Sequence, residues 1–179
     1  MGPLTSKIMI RALQLLSDAL SRGKFPKVTL IMGGGGAMVL AHHFPLGTTD
    51  IDAIPKGISI EELDPLVKLI AEQEKLPFDW LNPYFSTFSH TLPPDYGTRL
   101  IQVLETPSLE VLALGREEML IMKCFAHRRK DVGHARALVR SGADLEQVEA
   151  RIEELRKKGI RDSAEALDFL QEILELEGQ

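Results

Sequence analysis

The sequence predicts an α/β (α+β) fold: a mixed sheet flanked by helices, followed by a helical C-terminal part. Three observations carry that expectation. Short β-branched or apolar runs recur at residues 28–32, 48–54, 99–105 and 109–114, each of strand length. Between them, residues 4–21 and 59–75 place apolar side chains at helical spacing. Beyond residue 117 the pattern is helical only. The predicted division is a core over residues 1–115 and a helical part over 116–179.

Each element has a local reason. Ile8, Leu13, Leu16 and Leu20 form one helical stripe, with Thr5 or Ser6 as cap and Gly23 as the stop. Residues 28–32 read as a buried strand that Gly33 to Gly36 break, and residues 37–43 supply about two helical turns before Pro45. In the run 48–54, Asp50 and Asp52 share one face and Ile51 and Ala53 the other. The next helix has two candidate starts, a capping box of Ser59 with Glu62 or Asp64 followed by Pro65. Residues 76–96, with Pro77, Pro83, Pro93 and Pro94, read as an irregular excursion. Thr106-Pro107-Ser108 joins two strands into a hairpin. Helical patterning over 117–140 is interrupted near 130–133, and Asp144 with Gln147 and Asp162 with Glu165 resemble capping boxes opening two charged helices.

Composition excludes several classes. With 179 residues, 44% hydrophobic and 26% charged, the chain is long enough for a core without staples. Its single cysteine, Cys124, forms no internal disulfide, no apolar run approaches the length of a bilayer span, and no secretion signal is visible. A cytoplasmic location and no membrane partner are therefore expected. A net charge of −5 argues against general coating of nucleic acid. One local exception is residues 123–140, where Lys123, Arg128, Arg129, Lys130, Arg136 and Arg140 face a single acid, Asp131. That excess suits a triphosphate or an RNA end, or equally a solvated helix end.

The chemistry is concentrated at Gly35-Gly36, a gap of thirteen residues, and then Asp50-Ile51-Asp52. Two carboxylates alternating on a strand project to one side, and their mutual repulsion is relieved by a shared cation. Mg²⁺ suits such a pair, completing its shell with substrate phosphates. Glycines before a helix let the backbone approach a ligand, and the helix start offers N–H groups to phosphate. Alone, a glycine cluster also makes a plain turn and paired aspartates a solvated strand face; their joint spacing favours a nucleotide site.

At Gly35-Gly36-Ala37-Met38 and Thr48-Thr49-Asp50-Ile51-Asp52-Ala53 the chain resembles the nucleotidyltransferase superfamily, with the DNA polymerase beta fold. It is most similar to bacterial branches that include AbiEii-type abortive-infection toxins. Looser matches continue through Trp80-Leu81-Asn82, Leu109-Glu110-Val111, residues 117–123, Arg128 and Asp131. The resemblance implies that Gly35 and Gly36 position a nucleoside triphosphate, that Asp50 and Asp52 bind Mg²⁺, and that a third acid on a neighbouring strand completes the site. Glu110 is the preferred third acid and Glu105 the reserve; Thr49 and Lys123 are further candidates for contact with the nucleotide. Pro45 departs from the pattern, since relatives carry an arginine five residues before the first acid.

The implied activity is Mg²⁺-dependent transfer of a nucleoside monophosphate from an NTP to an RNA end, a protein or a small molecule, with an antitoxin partner if the chain acts as a toxin. The alternative is a non-catalytic binding or scaffold protein of the same fold. Trp80 and Asn82 are read either as base contacts or, for Trp80, as a loop anchor. His42 and His43 are read as helix surface, and Cys124 as a small buried apolar residue.

Overall fold

The computed structural model describes residues 2–83 and 89–178. Its described residues divide into two units, residues 2–83 with 100–114 and residues 89–99 with 115–178. The segment 89–99 thus joins the helical unit although it precedes two strands of the sheet in the chain.

In the first unit, α1 (Ser6–Arg22) is capped by Thr5, whose hydroxyl accepts from the Ile8 N–H, and its apolar stripe is buried. β1 (Val28–Met32) occupies the residues the sequence predicts. The helix after it, α2 (Gly34–Leu40), begins three residues earlier than expected and ends before the two histidines. The glycines are therefore its first turn rather than a break ahead of it. β2 (Ile51–Lys56) starts just after Asp50. α3 (Ile60–Glu74) opens on the Ser59–Glu62 capping box, with Pro65 inside it, so the earlier of the two candidate starts is used.

β3 (Leu81–Asn82) was not expected; it forms inside the proline-rich excursion because Trp80 anchors it. The Trp80 ring is fully buried and its Nε1–H donates to the Val67 carbonyl at 3.0 Å. β4 (Ile101–Glu105) and β5 (Leu109–Ala113) form the expected hairpin, with a register shift between Gln102 and Leu104. The five strands lie in the order β3-β2-β1-β5-β4. β1 pairs antiparallel with β2 and parallel with β5, while β3 runs parallel to β2.

Strand alternation gives this sheet two unlike faces. Val28, Leu30, Met32, Ile51, Ala53, Leu109, Val111 and Ala113 point to the buried one. Thr29, Asp52, Ile54, Asn82, Glu110 and Leu112 share the other and are only half-buried, which leaves polar chemistry accessible there.

The second unit is helical: α4 (Arg116–Ala126), a 3-10 turn at Arg129–Asp131, α5 (Val132–Arg140), α6 (Leu145–Lys157) and α7 (Ser163–Glu177). Asp144 caps α6 by accepting from the Gln147 N–H. Its own N–H donates to Glu117 instead of closing the expected box. Asp162 makes no side-chain cap; it takes up the left-handed conformation before α7 at φ 63°. Arg151 of α6 is buried and donates to the carbonyls of Thr91 and Leu92, which fastens segment 89–99 to this unit.

Candidate functional site

The site is built where β1 ends. The Gly33 N–H donates to the Asp52 carbonyl at 2.9 Å, tying the β1–α2 turn to the start of β2. Gly34 follows at φ +60°, a region that side chains other than glycine enter at a cost. A β-carbon there would also lie 2.0 Å from Asp52 Oδ2, so the bare turn and that carboxylate occupy neighbouring space. Gly35 has a similar constraint on its other side, where a β-carbon would stand 2.2 Å from Thr48 Oγ1.

Thr48 is itself held by paired backbone hydrogen bonds with Leu4, which fixes the approach to Thr49 and Asp50. Thr49 donates its hydroxyl to Asp50 Oδ1 at 3.0 Å. Asp50 lies one residue before β2, so the sequence expectation that it shares a strand face with Asp52 is not met by strand pairing: the strand begins after it. The Ile51 N–H donates to the Trp80 carbonyl at 2.7 Å, starting the pairing that sets Asp52 opposite Asn82. Asn82 Nδ2–H then donates to Asp52 Oδ1 at 3.2 Å.

The structure thus brings together Gly33, Gly34, Asp52 and Asn82, with Gly35 against Thr48 beside them, while Thr49 and Asp50 follow Thr48 in the chain just ahead of β2. Gly36 has another role: a β-carbon there would meet Met32 Sδ at 3.2 Å, so its smallness serves core packing. The placement of Glu110 differs from the sequence expectation. It shares the sheet face of Asp52 but stands opposite Thr29, whose hydroxyl donates to it at 3.1 Å. Thr29 is four residues before Gly33 along β1, roughly 13 Å at the usual rise per residue. Glu105 lies at that same far end, in register with Glu110 and bound by Lys27 and Gln102. Parity on the strand put Glu110 on the right face; only the register of β5 against β1 shows that it is at the wrong end.

Lys123 belongs to the helical unit, where it is buried and donates to Asp131 Oδ1 at 2.7 Å. Arg128 donates to the other oxygen of Asp131 at 2.6 Å. Arg136 and Arg140 both engage Glu177. Four of the six basic residues in this stretch are therefore held in internal ion pairs, two on each of two carboxylates. Arg129 and Lys130 are exposed and make no ion pair among the described residues.

Of the remaining candidates, Trp80 is an anchor of the core, as described above. His42 bonds the Leu114 carbonyl through Nε2 at 2.9 Å and His43 sits at φ 53°, both beyond the end of α2. Cys124 is fully buried, and burial pushes its thiol up to about 12. A cavity of about 520 Å³ lined by Thr5, Val39, His43, Phe44 and Val103 lies at the C-terminal end of α2, and none of the site carboxylates lines it.

The donors at the corner are hard oxygens: two carboxylates, an amide and hydroxyls. Such a set fits Mg²⁺ or Mn²⁺ and not a soft metal. Among the described residues no group of three or more His, Cys, Asp or Glu side chains could hold a metal ion. The sequence reading named Asn82 as a base contact and not as a partner of Asp52, and gave Gly34 no role of its own. The signal for Asn82 was its position two residues after the buried Trp80, and for Gly34 the presence of four successive glycines where two are needed for a turn.

No helix among the described residues is long and apolar enough to cross a membrane. No curated protein and no solved structure matches the chain. A family model described as "Nucleotidyltransferase of unknown function (DUF6036)" matches residues 10–175, a span that takes in both units and every site residue named above. By that match, and with the glycine turn and paired aspartates at the end of β1, the chain belongs to this nucleotidyltransferase family.

Proposed function

We propose that the chain transfers a nucleoside monophosphate from an NTP to an acceptor hydroxyl in a Mg²⁺-dependent reaction. The observation that supports this best is the convergence of Asp52, the Gly33–Gly34 turn and Asn82, with Asp50 two residues before Asp52 in the chain. In this reading Asp50 and Asp52 hold the cation, and the bare backbone at Gly34 and Gly35 lets the triphosphate come close. When bound, Mg²⁺ supplies neutralisation of the phosphate charge and polarisation at the α-phosphorus. The acceptor hydroxyl oxygen would bond to that phosphorus and release its proton to solvent, while the bond to the bridging oxygen breaks and pyrophosphate leaves with the electron pair. Asn82 keeps the Asp52 carboxylate oriented. Glu110, engaged by Thr29, and Lys123, engaged by Asp131, take no part.

The acceptor is an RNA end, a protein side chain or a small molecule, and a toxin role would bring an antitoxin partner. A second reading, nucleotide binding without turnover, is favoured by a specific observation: among the described residues no group of three or more His, Cys, Asp or Glu side chains comes together, so Asp52 has no cluster of acids around it to share the deprotonation of an acceptor. Calorimetric titration of Mg²⁺ with NTP tests the site. The wild-type chain is expected to bind, and Asp50→Ala with Asp52→Ala to lose binding; equal binding by both removes the site. Incubation with labelled NTPs and total RNA or lysate then separates the two readings, since transferred label means turnover and its absence means binding alone.

A further inference from the structure

Asn82 sits where it controls the charge and the aim of the candidate site. Parallel pairing of β2 and β3 puts it opposite Asp52, and residues in register on neighbouring strands point to the same face. Its amide N–H holds Asp52 Oδ1, while Oδ2 is the oxygen that faces the bare Cα of Gly34. The Asp52 carbonyl is held in turn by the Gly33 N–H. Asp52 is thus flanked by Asn82 on one carboxylate oxygen and by the Gly33–Gly34 turn on the other side.

Charge is the second part of the argument. From Trp80 to His90 the sequence contains no carboxylate, so β3 brings a neutral side chain to the corner. Among the described residues no group of three or more His, Cys, Asp or Glu side chains forms there, and one or two carboxylates are a weak holder of a free, strongly hydrated divalent cation. Phosphate oxygens raise the donor count and the negative charge together.

We propose that Asn82 is a positioning residue that makes cation binding conditional on the nucleotide. It aims Asp52 through its amide N–H and, being neutral, leaves the corner unable to hold a divalent cation until a triphosphate supplies the missing oxygens. This rests on the nucleotide-site reading above.

Mn²⁺ is the probe, titrated calorimetrically into the full chain with and without a non-hydrolysable NTP analogue, for wild type, Asn82→Ala, Asn82→Asp and Asp52→Ala. Wild type is expected to bind Mn²⁺ with the analogue and to show no saturation with Mn²⁺ alone. Asn82→Asp should bind Mn²⁺ alone about tenfold more tightly than wild type. Asn82→Ala should bind Mn²⁺ with the analogue about tenfold more weakly. A merely structural role weakens both variants alike, and that result overturns the proposal. So does an Asn82→Asp chain whose affinity for Mn²⁺ alone is unchanged, or a wild type that binds free Mn²⁺ as tightly as with the analogue. If Asp52→Ala abolishes binding and Asn82→Ala retains it in full, the Asn82 proposal fails while the nucleotide site stands. If wild type and Asp52→Ala give the same traces throughout, the nucleotide site fails and takes this proposal with it.

Discussion

Gly34 shows how one missing β-carbon can shape a site. At φ +60° an alanine costs about 1–2 kcal/mol in backbone strain alone. Its methyl would also displace the Asp52 carboxylate. Gly34→Ala is therefore expected to destabilise the chain by at least that amount in urea titration and to abolish metal-dependent nucleotide binding. Full binding by a folded Gly34→Ala chain would contradict the close approach. Asp131 is the corresponding case in the helical unit. Burial works to raise its carboxyl, but hydrogen bonds from His134 and Arg128 and the Lys123 ammonium outweigh burial and hold it well below the usual carboxylate range. A depressed folded value stabilises the fold above the unfolded value, about 3.9, and that stabilisation is lost as pH falls below it toward the folded one. Asp131→Asn leaves the Lys123 ammonium buried without its counterion, which should cost about 3–5 kcal/mol and flatten the loss of stability in acid. Urea midpoints measured from pH 7 down to pH 3 check both.

Among the elements, β3 is the least predictable and the most consequential. Two residues carry too little hydrophobic pattern to announce a strand, and four prolines around them argue for a loop. What makes the strand is tertiary: Trp80 fills the core beside α3, donates to Val67, and delivers Leu81 and Asn82 to the edge of β2. Trp80→Ala should cost about 3–5 kcal/mol through the cavity it leaves. Because Asn82 would lose its register, nucleotide binding should weaken in the same variant at temperatures where it remains folded. As the only tryptophan, Trp80 also gives the wild type a buried-type fluorescence emission that shifts red on unfolding. A Trp80→Ala chain that keeps wild-type stability and binding would show that β3 is held by something else. By contrast α1, β1 and the β4–β5 hairpin were legible, since capping residues and unbroken apolar runs are local signals.

For the whole molecule, charge is the property most changed by folding. The run from Lys123 to Arg140 carries an excess of five positive charges in the sequence. In the fold, Asp131 and Glu177 each engage two of its six cations in ion pairs, and Glu177 lies far away in the sequence. Any RNA binding through this stretch should therefore show a salt dependence no steeper than that of two phosphate contacts, a log–log slope of about −1.4 for single strands. A slope of about −4 in filter binding across salt concentrations would mean that the ion pairs open to meet RNA.

The sequence by itself determined the elements with local causes, the order of those helices and strands, and the presence of two aspartates at the start of a strand beside a glycine turn. Alternation, capping and glycine permissiveness act within a few residues, so they can be read along the chain. Tertiary structure alone decided which residues join those aspartates. Strand register put Glu110 at the far end of the shared face and brought Asn82, thirty residues from Asp52, into hydrogen-bonding range. Burial turned Lys123 from a candidate phosphate ligand into half of an internal ion pair. Pairing between distant segments depends on the packing of the whole core, and no window of sequence contains that information.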